Sequence, residues 1–232
     1  SFRHIRTNLG YMIPEPGKKL IMVTSTVSGE GKSFIALNLA SIFAMNNKKV
    51  LLCGFDLRRP TLHKIFQMEN REGISEILIG KKRFEDVVKD SPISGLHFLP
   101  SGPIPPNPAE LLESKNMQDL LETFKAKYDY IIIDTPPMAL VTDAQLISRY
   151  TDTNIFVIRQ FFSRRGMFPM INGTAEKMKS SVSIVVNDIK ESRAIGYYYG
   201  YGYGYGYGYG YGYGYGYGYT KEYGTDYFDD ED

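Results

Sequence analysis

Residues 25–33 read STVSGEGKS and join an apolar run, KLIMVTS at 19–25, to a stretch with helical periodicity at 34–44. In that stretch Ala36, Leu37, Ala40 and Phe43 recur on one side. A glycine-rich turn that leads a buried strand straight into a helix leaves few folds open. Gly29 and Gly31 allow the backbone to curl with its N–H groups inward, and the helix N-terminus behind them adds partial positive charge. Such a turn cradles a polyphosphate. Lys32 would reach the β and γ phosphates, and the Ser33 hydroxyl would ligate Mg²⁺. The usual pattern has a glycine five positions before its second one; here that position is Thr26. Ser28, Gly29, Glu30, Gly31, Lys32, Ser33 and Phe34 are the candidate nucleotide contacts along this turn.

The rest of the body alternates strands and helices. Residues 49–55 (KVLLCGF), 96–99, 130–134 (YIIID), 154–159 (NIFVIR) and 182–187 (VSIVVN) read as strands. A helix is expected over 109–127 behind Pro108, with Leu111, Leu112, Leu120, Leu121 and Phe124 on its apolar side. Residues 101–108 hold four prolines and must be extended or turn-like. Continuous rather than alternating apolar runs indicate strands covered on both faces. The expected fold class is therefore α/β: a doubly wound, mostly parallel sheet.

Two strand-end carboxylates support the phosphate site. Asp134 closes the run Ile131-Ile132-Ile133, where the metal-facing aspartate of a P-loop enzyme stands. Asp56 follows a second apolar run and precedes Arg58 and Arg59. Ser33, Asp56 and Asp134 are the candidate metal ligands. Lys32, Asp56, Asp134 and Arg58 are the candidate catalytic residues, Arg58 through charge stabilisation, with a salt bridge as its alternative role. Asn187 ends the last strand, where it could touch the adenine or cap a loop.

Composition separates a second regime. Of the 19 tyrosines, only Tyr11, Tyr128, Tyr130 and Tyr150 lie before residue 196. The others are Tyr197, Tyr198, Tyr199, Tyr201, Tyr203, Tyr205, Tyr207, Tyr209, Tyr211, Tyr213, Tyr215, Tyr217, Tyr219, Tyr223 and Tyr227, most of them alternating with glycine. Glycine maximises the entropy lost on ordering, so residues 196–232 are expected to be a disordered tail, and 1–195 the folded domain. A tail of this length has a root-mean-square reach of roughly 30–36 Å. The formal net charge of +1 gives no field that would favour nucleic acid. One cysteine, Cys53, forms no internal disulfide, which fits a reducing compartment. No run approaches the ~20 apolar residues that span a bilayer, and no secretory leader is visible; an anchor outside the chain stays open.

With these residues in hand, the chain resembles the bacterial tyrosine kinases of capsular and exopolysaccharide synthesis, P-loop NTPases of the deviant-Walker type. Asp56-Leu57-Arg58-Arg59-Pro60 is similar to their second aspartate motif, although the first of its two aspartates falls on Gly54. Gly102-Pro103-Ile104-Pro105-Pro106-Asn107-Pro108, followed by Glu110-Leu111-Leu112, is similar to a segment that generic P-loop ATPases lack. Asp134-Thr135-Pro136-Pro137 and Thr142-Asp143-Ala144 match in order, and Arg3 and Arg6 match the arginines of an interface helix. The resemblance implies an ATP- and Mg²⁺-dependent autokinase whose C-terminal tyrosines, Tyr197 to Tyr227, accept phosphate in trans, within a homo-oligomeric ring. It implies a transmembrane polysaccharide co-polymerase as activator, a tyrosine phosphatase as opposing partner, and a place at the cytoplasmic face of the inner membrane, the chain alone being soluble. The sequence leaves two alternatives. One is a partitioning or septum-placement ATPase, whose signature lysine would fall on Val27. The other is a nucleotide-binding ring scaffold without catalysis.

Overall fold

The computed structural model describes residues 2–13, 19–139, 141–178 and 180–190. The tyrosine-rich tail and its acceptor residues, as well as the boundary expected at 195/196, lie outside them.

Seven strands form one sheet in the order β3-β4-β2-β5-β1-β6-β7. They are β1 (Lys19–Ser25), β2 (Val50–Gly54), β3 (Lys89–Asp90), β4 (Leu96–Leu99), β5 (Tyr130–Asp134), β6 (Thr153–Arg159) and β7 (Ser181–Asn187). All pairings are parallel except β3 with β4, an antiparallel pair at one edge. The apolar runs explain this sheet. Along β1, Leu20 and Met22 enter one core, while Ile21 and Val23 enter the other. On β5, Ile131 and Ile133 face the first core and Ile132 the second. Each such fully buried side chain contributes about 1.5–3 kcal/mol relative to exposure, so a sheet with two greasy faces demands helices on both.

On the second face lie α1 (Phe2–Met12) and α2 (Lys32–Ala44), which supply Leu9, Ile35, Ala36, Leu39, Ala40 and Phe43. The first face is covered by α4 (Ile74–Leu78), α5 (Phe84–Val87), α6 (Pro108–Glu113), α7 (Lys115–Lys127), α8 (Asp143–Ser148) and α9 (Phe168–Ala175). The short α3 (Leu62–Ile65) follows Asp56, and places Leu62 in the second core. Strand bounds agree with the expected ones within a residue. The single helix expected over 109–127 is in fact two. Ser114 breaks it with extended backbone, and its hydroxyl accepts from Met117 N and donates to Leu111 O, capping α7. Pro108 stands at the start of α6, where a missing N–H costs nothing.

This topology builds the site. β2, β5 and β1 are adjacent, with Gly54 and Val23 both in register with Asp134. Their carboxyl ends therefore open side by side, at the edge where parallel sheets bind ligands.

Candidate active site

The turn that follows β1 has the expected backbone. Gly29 and Gly31 sit at φ +89° and +95°, the left-handed region that side chains avoid. Gly31 is the residue before α2, so Lys32 and Ser33 open that helix. After β5, residues 135–139 run alongside the turn: Thr24 Oγ1 donates to Pro136 O, and Met138 N and Ala139 N donate to Ser25 O and Thr26 O.

Four of the expected residues come together. Lys32 Nζ lies 3.5 Å from Asp56 Oδ2, 3.7 Å from Asp134 Oδ1 and 3.5 Å from Ser33 Oγ. Ser33 Oγ donates to Asp134 Oδ2 at 2.6 Å. Asp56 Oδ1 in turn accepts from Arg59 N, which fixes the carboxylate at the mouth of β2. Burial pushes the Asp134 carboxyl above its usual range, against the pull of the Lys32 ammonium and the Ser33 hydroxyl. Its Oδ1 is buried and accepts no hydrogen bond among the described residues. A buried carboxylate oxygen whose charge is met by the Lys32 ammonium at 3.7 Å but by no hydrogen bond, beside a second carboxylate and a hydroxyl, suits a hard divalent cation. Among the described residues there is no cluster of three or more His, Cys, Asp or Glu side chains for a metal. The set therefore fits Mg²⁺, which keeps waters and phosphate oxygens among its ligands, better than a metal that needs a closed protein cage.

The remaining site residues behave differently. Arg58 is not turned to this group: its Nε and Nη2 form a two-point ion pair with the buried Asp143, at 2.9 and 3.0 Å. This is the salt-bridge alternative weighed for it, and it also gives Asp143 a role as the counter-charge that holds the loop after β2 to α8. Phe34 is half exposed, and its ring meets Phe2 edge-on at 6.0 Å. Asn187 Nδ2 donates to Glu30 O at 3.0 Å, so this amide braces the phosphate turn.

Glu30 is the residue whose position in the turn misleads most. Its carboxylate is fully buried and accepts from Thr26 N at 2.6 Å, Thr26 Oγ1 at 2.8 Å and Val27 N at 2.9 Å. Ser163 Oγ also donates to it. Thr26, where the usual pattern has glycine, is thus anchored to Glu30 through both its hydroxyl and its amide. Any phosphate contact from Glu30 is left to its backbone. The charge itself was a signal: a carboxylate inside a phosphate cradle must turn away from the phosphate. Sequence spacing had no means of finding Ser163 or Arg159, whose Nη1 donates to Gly29 O at 3.2 Å from a strand 130 residues on.

Comparison with known proteins gives the family and the fold. The AAA domain family matches residues 18–185. The kinase domain of the Escherichia coli tyrosine kinase ETK superposes with a TM-score of 0.79 at 31% identity, covering 90% of this chain and 80% of that one. The chain belongs to the bacterial tyrosine-kinase family. Within that family it is 46% identical over 157 residues to the tyrosine-protein kinase YwqD of Bacillus subtilis (strain 168), a stretch of 68% of this chain and 66% of that protein. It is 37% identical over 198 residues to the tyrosine-protein kinase ptk of Acinetobacter johnsonii, covering 85% of this chain but 27% of that one. The kinase-family chain thus spans less than two thirds of the length of these two relatives. A nucleotide-binding P-loop fold is common to the family and the site described. Among the described residues, no helix is long and apolar enough to cross a membrane.

Proposed function

We propose that this chain is an ATP- and Mg²⁺-dependent protein-tyrosine autokinase that phosphorylates its C-terminal tyrosines. Its control would be exerted on polysaccharide polymerisation and export. The observation that carries this reading is the convergence of Lys32, Ser33, Asp56 and Asp134 at the end of the glycine turn.

The turn and the α2 N-terminus bind the triphosphate through backbone N–H groups of Ser28 to Phe34. Lys32 neutralises the β and γ phosphates as it exchanges its carboxylate neighbours for phosphate oxygens. Ser33, Asp56 and Asp134 would hold Mg²⁺, which would supply charge neutralisation to the transferring phosphoryl group. The tyrosine Oη forms a bond to the γ phosphorus, the bond from that phosphorus to the bridging oxygen breaks, and ADP leaves with the electron pair. Asp56, whose Oδ2 is released when Lys32 turns to the phosphates while Oδ1 stays on Arg59 N, takes the phenolic proton. Arg58 supports catalysis from its pair with Asp143 rather than by touching the phosphate.

The acceptors are Tyr197 and the tyrosines after it, passed between copies of the chain in a ring whose interface includes Arg3 and Arg6. The folded domain ends near residue 195. A membrane-embedded activator and a tyrosine phosphatase complete the cycle, at the cytoplasmic face of the membrane.

The test is incubation with ATP and Mg²⁺ followed by phosphotyrosine detection. Wild type gives a signal, and Lys32→Met lowers the transfer rate by on the order of 10²-fold or more. Nucleotide binding without phosphotyrosine in the wild type would refute the kinase reading.

A further inference from the structure

The turn between β6 and α9 leaves a surface that the chemistry above does not use. Phe161 is 87% exposed and sits at φ +59°, a conformation that a bulky L residue rarely adopts. The turn is nevertheless tightly closed. Phe162 N and Ser163 N donate to Arg159 O, and Ser163 Oγ accepts from Arg159 N. Strain of this kind, held by surrounding bonds while it presents an aromatic ring to solvent, points to a binding surface.

Three further observations say what the surface would take. It adjoins the phosphate turn: the Phe162 ring borders Gly29, where an added Cβ would lie 3.1 Å from its Cζ, and Arg159 lies over that ring at 5.4 Å from the centroid. It is basic: Arg164 and Arg165 follow directly, both exposed, and neither makes an ion pair with a described residue. And the described chain ends beside it, since Lys190 N donates to Gln160 Oε1. The 42 residues after Lys190 are rich in tyrosine and close on Asp226, Asp229, Asp230, Glu231 and Asp232. Tyrosine rings complement exposed phenylalanines, and the acidic end complements the arginines.

We propose that Phe161 and Phe162, with Arg164 and Arg165, form the docking platform that receives the tyrosine–glycine tail of a second copy and lays an acceptor ring beside the phosphate turn. The proposal rests on the autokinase reading and adds to it the surface that selects the acceptor. Because every second residue from Tyr199 to Tyr219 carries a ring, the tail can slip by two residues and present a new tyrosine to the same platform.

Full-length chains test it. A size-tagged Lys32→Met chain serves as acceptor and an untagged chain as enzyme, with phosphotyrosine read on the tagged copy. Phe161→Gly, which removes the ring and relieves the positive φ, is placed in the enzyme copy. The acceptor concentration for half-maximal transfer should rise about three- to tenfold, and Phe161→Trp should restore it. Arg164→Glu with Arg165→Glu should weaken transfer most at low salt. Binding of a fluorescent ADP analogue to the Phe161→Gly chain should persist. Equal transfer by the wild-type and Phe161→Gly enzyme copies would overturn the platform. So would loss of ADP binding together with transfer, which would mean that the turn acts only by supporting Gly29. An effect seen only with Phe161→Gly in the acceptor copy would assign the platform to the chain's own tail and reject the second copy. Absence of phosphotyrosine with the wild-type enzyme copy sinks the kinase reading, and the platform with it.

Discussion

Glu30 carries a full carboxylate into the loop that is expected to hold three phosphates, and the electrostatics decide its direction. Facing the ligand it would repel it; facing inward it accepts from two backbone amides and two hydroxyls. A buried amide donor left unsatisfied costs about 1–3 kcal/mol. Glu30→Ala should therefore lower folding stability by about 2–3 kcal/mol, leaving Thr26 N and Val27 N unsatisfied beside an open loop. Nucleotide affinity should fall with it, since the amides that cradle phosphate lose their anchor. Denaturant unfolding in the presence and absence of ADP measures both effects. Glu30→Gln keeps the shape and should recover part of the stability. If Glu30→Ala unfolds like wild type and binds ADP as tightly, the loop is held by its glycines and Asn187 alone.

Elements transmit this order to the rest of the sheet. α2 begins in register with the turn only because Gly31 adopts φ +95°, and because no side chain there competes with Asn187 from β7. An alanine Cβ would overlap Asn187 Nδ2. Gly31→Ala should abolish nucleotide binding measurably by calorimetry and destabilise the fold by about 1–2 kcal/mol through strain alone. Adding Asn187→Ala relieves the overlap but not the positive φ, so it should restore some stability and little binding. Full recovery by the double variant would show that crowding, not backbone conformation, sets the requirement for glycine. Much of this layer was legible in the sequence, because strands buried on both faces advertise themselves as unbroken Ile, Val and Leu runs and the glycine turn sits between two of the clearest elements. What escaped has physical reasons. The helix break at Ser114 depends on a hydroxyl that can either extend or cap a helix. β3 is two exposed residues, too short to show a pattern. The Arg58–Asp143 pair, and the reach of Ser163 and Arg159 to the phosphate turn, join residues 85 to 133 positions apart, and only the folded sheet brings them into contact.

At the scale of the whole molecule, charge and encounter govern the proposed cycle. The unmodified chain is almost neutral, at +1. Each phosphotyrosine adds about −1.5 to −2, so even a few modified tail residues reverse the sign of the chain and set neighbouring copies against one another. Transfer between copies makes the reaction second order at dilution: the rate per chain should rise with protein concentration until assembly saturates. The interface proposed for Arg3 and Arg6 is well placed to control this. Both lie on α1, which packs on α2 through Leu9 and the Phe2–Phe34 contact, close to the helix that opens with Lys32 and Ser33. Reversing both charges, with Arg3→Glu and Arg6→Glu, should lower the oligomer fraction in light scattering and reduce the initial phosphotyrosine rate several-fold at low micromolar protein, on the order of 1–2 kcal/mol of association energy. Raising the concentration should recover the rate, because the phosphate site in each copy is intact. A wild-type rate per chain that stays constant over a hundredfold dilution would instead mean that each tail is modified by its own site, and the ring would then have no part in choosing the acceptor.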